Sequence, residues 1–362
     1  MPGQEQLKSS VIDKDLCSGC GMCLGLCPYI KTVLDRVRVI HPCGINEGTC
    51  YKICPKTSLD ISWLDQLVFS QPRRDQALGV YRSINFARAC NKSAGAQYGG
   101  VASALMAFAI DRGLIGGVVL TGGTALDPKP VLAKTGHEVL SCAGSKYTAV
   151  PTLAALNQAV RTSAERIGLV GRPCQIQAVR KMQHVNYMEE YLNSGKSVQL
   201  TLGLFCFWSL KSGFYDYLAQ KACGEEVLKV DIPVEGLTVT TSGGVSTWPV
   251  DEIRHYIKDA CISCTDCTSE WADLSVGSTE YDSEWNALLV RTAAGDDLVN
   301  LAVKEGVVEV RPYPEERLPI LRKAVLNKKM RILDESGEVV WDYLKVPGEY
   351  MAEIRKQWEV LQ

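Results

Sequence analysis

Histidine is scarce. Four occur in 362 residues, His41, His137, His184 and His255, none of them at paired spacing. That leaves no recognisable Ser-His-Asp or Cys-His constellation and no His-based shell for a single ion, so hydrolysis and mononuclear metal catalysis are not suggested. Long apolar runs are missing as well. No stretch approaches the ~18 residues needed to span a bilayer, and the opening MPGQEQLKSSVIDKD lacks the apolar core of a signal peptide. Neither sign of charge dominates: 39 Lys and Arg against 41 Asp and Glu leave a formal charge of −2. That balance supplies no general drive toward nucleic acid or an anionic membrane. The expectation is a cytoplasmic protein that neither binds nucleic acid nor inserts directly into a membrane.

Cysteine is what the sequence has in excess. There are 15, of which seven fall between Cys17 and Cys54. A disulfide framework belongs to short secreted chains and is spread evenly, so this clustering in an intracellular chain points to metal or redox chemistry. The length suggests two or three domains. Residues 1 to about 70 are cysteine-rich with little hydrophobic periodicity, SQPRRDQALG (70–79) is polar and reads as a linker, and helix and strand patterns alternate from about Val80 onward.

Cys17, Cys20, Cys23 and Cys27-Pro28 form C-x2-C-x2-C-x3-C-P. Three thiolates of such a tight loop can grip three corners of a cubane, while the fourth cysteine serves a second cluster. Zinc sites rarely use this run before proline. Farther on, Cys43, Cys50 and Cys54-Pro55 repeat the C-x3-C-P ending. Together the two halves resemble the two-cluster bacterial ferredoxin module over roughly residues 10–65. That resemblance implies one 4Fe-4S cluster on Cys17, Cys20, Cys23 and Cys54, and a second on Cys27, Cys43 and Cys50. The second half supplies three cysteines instead of four. Three outcomes stand open there: a three-iron cluster, recruitment of His41 or Glu47, or no cluster.

In the body, Gly99-Gly100 precedes VASALMAFAIDRG, whose apolar residues at 101, 104, 105, 108 and 109 fit a buried helix face closed by Gly113. Glycines before a helix N-terminus suit a phosphate, although they serve helix–strand packing at least as often. GGVVLTGG (116–123), RIGLVG (166–171) and SVQLTLGLFC (197–206) read as buried strands, the second running into Arg172-Pro173-Cys174 and a helix. Cys174 and Cys206 thus lie at the carboxyl ends of strands, the edge at which open α/β sheets bind ligands. Cys261, Cys264 and Cys267 add a C-x2-C-x2-C run too short to complete a cluster by itself. Cys90, Cys142 and Cys223 read as small buried hydrophobes. RLPILRKAVLNKK (317–329) reads as a solvated core-packing helix rather than a docking element.

The segments 99–122, Ser145-Lys146-Tyr147, VGRPCQIQAVRK (170–181), GLFC (203–206) and CISCTDCTSEWADLSVGS (261–278) resemble, in order, the beta subunit of coenzyme F420-reducing hydrogenase and its relatives in F420H2 dehydrogenase and F420-dependent formate dehydrogenase. The N-terminal module looks most like the F420H2 dehydrogenase input subunit. The resemblance implies an α/β (α+β) flavin-binding core behind an N-terminal two-cluster ferredoxin-like domain. Its divisions would be 1–70, 76–190 and 191–362, the last two being halves of the flavin-binding unit. It also implies bound FAD, a 4Fe-4S cluster on Cys174, Cys206, Cys261 and Cys264, and hydride exchange with F420. Cys267 is left out of that set, although it could replace Cys174. Gly99, Gly100, Ser103, Ser145, Lys146 and Tyr147 are the flavin candidates, with Lys146 placed to offset negative charge on the reduced ring and so the candidate catalytic residue. The partners implied are other subunits of a redox complex, of hydrogenase, formate dehydrogenase, heterodisulfide reductase or membrane dehydrogenase type, or ferredoxin. Two alternatives are a ferredoxin-dependent flavin reductase acting on a substrate other than F420, and a non-catalytic electron-transfer subunit.

Overall fold

The computed structural model describes residues 3–162, 164–185, 194–233, 235–279, 281–334, 336–346 and 348–361. The expected division at 190/191 lies outside the described residues. An eight-stranded mixed sheet organises the body. Its spatial order is Val308–Pro312, Ser83–Ala89, Asn286–Val290, Leu274–Ser278, Val198–Leu204, Ile167–Gly171, Gly117–Gly123 and Pro128–Ala133. The run from Leu274–Ser278 to Gly117–Gly123 is parallel, and both flanks are antiparallel. Central parallel strands are covered on both faces, which is why Val198–Leu204 and Ile167–Gly171 read as near-continuous apolar runs rather than alternating ones.

Val101–Asp111 is a helix buried almost all round, with Met106, Ala107 and Ile110 covered as well as the expected face, and Gly113 follows it at φ +66°. Pro173–Gln183 begins with Pro173 at its first turn, where a missing N–H costs nothing, and Gln175 Oε1 accepts from the Arg172 amide at 2.8 Å. A smaller three-stranded sheet, Val227–Asp231, Leu237–Thr241 and Gly244–Trp248, builds a separate apolar cluster with the Gly213–Ala222 helix. Among the described residues no helix is long and apolar enough to cross a membrane.

The cysteine-rich N-terminal segment shares the core of the body. Met22, Ile53, Leu59, Ile61 and Leu64 pack in one cluster with Leu153, Leu169, Ile176 and Val325. Each such side chain contributes about 1.5–3 kcal/mol when fully buried. Polar ties reinforce the join: the Leu153 amide donates to Cys20 O at 3.2 Å, and Asn157 Nδ2 donates to Met22 O and Leu24 O at 2.8 Å each. Leu59–Asp60 pairs in parallel with Leu344–Lys345 near the far end of the chain.

The polar stretch 70–79 does not behave as a solvated linker. Arg73 is buried and forks to Asp65 at 2.5 and 2.8 Å, and it reaches Glu270 at 2.7 Å; Ala77 and Leu78 are fully covered. Arg73 faces inward because acidic partners wait there, and Asp75 pairs with Arg322, while Arg74 is exposed. The Leu318–Met330 helix packs on the core through Val325 and Leu326, but Lys328 and Lys329 are each 1% exposed as well, Lys329 against Glu270 and Lys328 against the carbonyls of Cys206 and Asp266.

Candidate functional site

A cavity of about 320 Å³ opens at the carboxyl edge of the parallel strands, within the size range of small-molecule sites. Thr121, Gly171, Leu204 and Val276 bring the strand ends to it, and Asn286 enters from the antiparallel neighbour. Of the residues expected to hold a flavin, Gly100, Ser103, Ser145, Lys146 and Tyr147 line this cavity together, although they come from two separate segments. Gly99 stands behind them. A Cβ there would meet Ala87 O at 2.7 Å and the Asn286 amide at 3.1 Å, so it serves helix–strand packing. Gly100 caps the helix at φ +70°, a left-handed conformation that glycine adopts without strain.

Lys146 is engaged more heavily than its sequence setting suggested. Its ammonium donates to Cys142 O, Ala143 O and Gly144 O at 2.8–3.1 Å, matching three donors to three carbonyls at the end of the Gly136–Ser141 helix. Burial lowers its pKa, opposed by Cys142. Tyr147 donates to Asp231 Oδ1 at 3.0 Å, and burial together with that carboxylate pushes the phenol upward. Gln97 ties the same wall: its Nε2 donates to Val230 O at 3.0 Å and its Oε1 accepts from the Ser145 amide at 3.1 Å. Asp231, Gln97 and Asn286 are site residues that sequence reasoning missed, for they belong to no motif.

The cavity ends against cysteines. Cys206 lines it, as does Arg172, whose guanidinium donates to Ser209 Oγ and to Val150 O. Burial works to lower the Arg172 pKa, but the thiols of Cys174, Cys206, Cys261 and Cys20 outweigh it and raise it. All 15 cysteines are thiols rather than disulfides. Among the described residues no three His, Cys, Asp or Glu side chains converge as the shell of a single ion.

The thiols nevertheless fall into groups whose members feel one another. Burial raises Cys23, followed by the charges of Cys20, Cys17 and Cys54. Cys50 is raised to about 11 by burial, then by Cys27 and Cys43. Cys206 is raised to about 12 by burial and also feels Cys261 and Cys174, while Cys261 feels Cys264 and Cys174. Cys174 is the joint, acting on Cys17 and Cys20 as well as on the body thiols. Thiols brought together this way resist ionising as a group unless positive charge is supplied among them. Cys267 is fully buried beside Cys264, and its carbonyl accepts from the Cys206 amide at 2.8 Å. Cys142 is buried as expected, whereas Cys90 and Cys223 are exposed, the latter closing the Gly213–Ala222 helix at φ 50° where its side chain clears the core.

Buried cations line the thiol groups. Lys328 Nζ donates to Cys206 O and to Asp266 O, and the thiols of Cys264, Cys206, Cys267 and Cys261 hold its pKa up against burial. Lys56 Nζ donates to Ala260 O, Ser263 Oγ and Tyr343 OH at 2.7–2.9 Å, bridging the N-terminal module to the 260–264 loop. Lys181 donates to Cys54 O and Ser58 O. Lysine is seldom fully buried without a partner, so three buried beside cysteines form a positively charged lining that spacing alone did not reveal.

Gly277 sets one wall of the cavity, because a Cβ there would overlap the Phe205 ring. Gly277→Ala is expected to cost about 1–3 kcal/mol and to tilt Phe205 into the cavity. Thermal melting reads the first effect, and a narrowed cavity in a crystal structure of the variant reads the second.

Comparison with known proteins agrees with this layout. Residues 85–157 match the family model for the N-terminal part of the coenzyme F420 hydrogenase/dehydrogenase beta subunit, and residues 164–316 match the model for its C-terminal part. The chain is 33% identical to the coenzyme F420 hydrogenase beta subunit of Methanothermobacter thermautotrophicus, over 70% of this chain and 92% of that protein. It is 27% identical to an F(420)H(2) dehydrogenase subunit of Methanosarcina mazei, over 92% of this chain and 95% of the relative. A chain of the F420-reducing NiFe hydrogenase complex from Methanosarcina barkeri superposes with a TM-score of 0.65 at 31% identity, covering 70% of this chain and 91% of that one. With these matches spanning more than half of its length, the chain belongs to the coenzyme F420 hydrogenase/dehydrogenase beta subunit family.

Proposed function

We propose that this chain is the cytoplasmic F420-linked redox subunit of a larger complex, binding FAD in the strand-edge cavity and 4Fe-4S clusters on its grouped thiols. FAD would supply the exchange between hydride transfer with F420 and single-electron steps, and the clusters would carry the single electrons. One observation carries this reading: Cys206 lines the cavity and neighbours the body thiols, while Cys174 neighbours both those thiols and Cys17 and Cys20. The order proposed runs from the cavity to Cys174, Cys206, Cys261 and Cys264, then to Cys17, Cys20, Cys23 and Cys54, and last to Cys27, Cys43 and Cys50. The family relatives support F420 as the hydride partner, since the hydrogenase and the dehydrogenase are both named for it.

The residues present suit these groups. Gly100 and Ser103 offer small, polar surface at a helix N-terminus for a pyrophosphate. Phe205, Phe207 and Trp208 give the cavity an aromatic wall that excludes water. Lys146, held by three carbonyls, contributes fixed positive charge rather than a free donor. Lys328, Lys56 and Arg172 offset the negative charge of grouped thiolates. The ferredoxin-like module over 1–70 would lead to the outlet toward a partner subunit or ferredoxin, with the flavin-binding unit over 76–190 and 191–362.

Anaerobically purified protein should be yellow-brown, release FAD on denaturation and contain about eight or more irons per chain. Reduced F420 should bleach the flavin promptly. A flavin that reduced F420 leaves untouched, yet dithionite reduces, would transfer the site to another substrate. Absence of flavin would leave only an electron-transfer subunit.

A further inference from the structure

We propose that the thiols of Cys27, Cys43 and Cys50 form a three-ligand site for a three-iron cluster, with the Gln4 carboxamide standing at the corner where a fourth ligand would come. The inference rests on the reading of residues 1–70 as a cluster-bearing module. Gln4 is 2% exposed, although it lies almost at the start of the described chain. Its Nε2 lies 3.8 Å from Cys27 Sγ and 3.2 Å from His41 O, and its Oε1 accepts from the Cys43 amide at 2.8 Å. The backbone N–H of Cys43 can only donate, which fixes the orientation of the side-chain amide. A buried amide thus spans two of the three cysteines, while Cys50 is buried and packs in one cluster with Cys27.

Among the described residues, neither His41 nor Glu47 is set to complete the trio. His41 is exposed, its Nδ1 is 2.6 Å from Pro42 O, and its ring lies against Tyr29. Glu47 is exposed and pairs with Lys52 at 3.3 Å. Cys54, the next cysteine along, goes by spacing with Cys17, Cys20 and Cys23, and its carbonyl accepts from Lys181. Both residues that the sequence offered as a fourth ligand are therefore turned away, and the polar group that faces the trio is an amide. A carboxamide is a poor ligand for iron beside thiolates, because soft thiolate donors are what such clusters select. Its N–H instead donates to a cysteine sulfur, a contact that tunes a cluster without ligating it. A cubane lacking one iron needs three thiolates, and three are present.

The full chain, purified anaerobically and oxidised mildly, should show the near-isotropic low-temperature EPR signal of an oxidised three-iron cluster, stoichiometric with protein. Iron should come to about 11 per chain. Gln4→Cys supplies a fourth thiol at the corner, so the signal should disappear and iron should rise by about one per chain. Gln4→Leu keeps three thiols and should retain the signal. Wild-type protein with about 12 irons and no three-iron signal, or with about eight irons, would overturn the proposal while leaving the other clusters standing. A signal that persists in Gln4→Cys would overturn the placement of Gln4. Failure of the module reading itself looks different, since iron would then fall to about four per chain whatever residue stands at position 4.

Discussion

Glu270→Gln is expected to destabilise the folded chain by about 3–5 kcal/mol, because it breaks a balanced buried charge set on one side only. Glu270 is 1% exposed and receives Lys329 Nζ on one oxygen and Arg73 Nη1 on the other, the latter at 2.7 Å. Arg73 in turn holds Asp65, which also accepts from Trp271 Nε1 at 2.9 Å, and Lys329 donates to Tyr350 OH at 2.9 Å. Two cations and two carboxylates therefore close on one another across helix Ile61–Phe69, the 70–79 segment, the cysteine loop and helix Leu318–Met330. Removing one carboxylate charge strands a buried cation without compensation. Burial alone would raise Glu270, but Lys329 and Arg73 hold its pKa below the usual 4.5. Its contribution is therefore present above about pH 4.5 and lost as pH falls through the lower folded value, so the deficit of the variant should narrow in acid. Urea denaturation of anaerobic protein measures the loss. The double variant Glu270→Gln with Lys329→Met restores the balance and should recover about 1 kcal/mol or more of it. A double variant as weak as the sum of its parts would show that the charges act independently.

That network explains why part of the fold was legible in the sequence and part was not. The strands Gly117–Gly123, Ile167–Gly171 and Val198–Leu204, and the helices after Gly100 and Arg172, are local matters of apolar period, glycine and proline, and their pattern places them. Cysteine spacing likewise groups Cys17, Cys20 and Cys23, which share one loop. Spacing carries no information on Cys174 meeting Cys17 and Cys20 across more than 150 residues of chain. Polarity misled at Arg73, Lys328 and Lys329, because a charged residue reads as solvent-facing unless its partner is known; Asp65 is 8 residues from Arg73, but the other carboxylate and carbonyl partners lie 59 to 197 residues away. Lys146 illustrates the converse. Its presence at the cavity follows from the motif, yet its three carbonyl acceptors follow only from how the Gly136–Ser141 helix ends. Gln97, Asp231 and Asn286 reach the cavity through backbone topology, so no residue-level pattern singles them out.

Arg172→Leu tests the wiring rather than the fold. Arg172 sits where the cavity, the body thiols and the N-terminal thiols meet, and its guanidinium acts on Cys174, Cys206, Cys261 and Cys20. A unit positive charge a few ångströms from a cluster favours the reduced, more negative form. At an effective dielectric near 20 that preference is worth about 2–3 kcal/mol. Removing the charge should therefore shift the potential of the cluster proposed on Cys174, Cys206, Cys261 and Cys264 by on the order of 100 mV to more negative values, at ~59 mV per tenfold for a one-electron step. Arg172→Lys keeps the charge but loses the fork to Ser209 Oγ and Val150 O, so it should move the potential much less while losing comparable stability. Dye-mediated EPR titration measures the potential and urea denaturation measures the stability. If Leu and Lys shift the potential equally, Arg172 acts through its hydrogen bonds. If only the Leu variant moves it, with both weakened alike, the charge itself sets the step between the cavity and the N-terminal thiols.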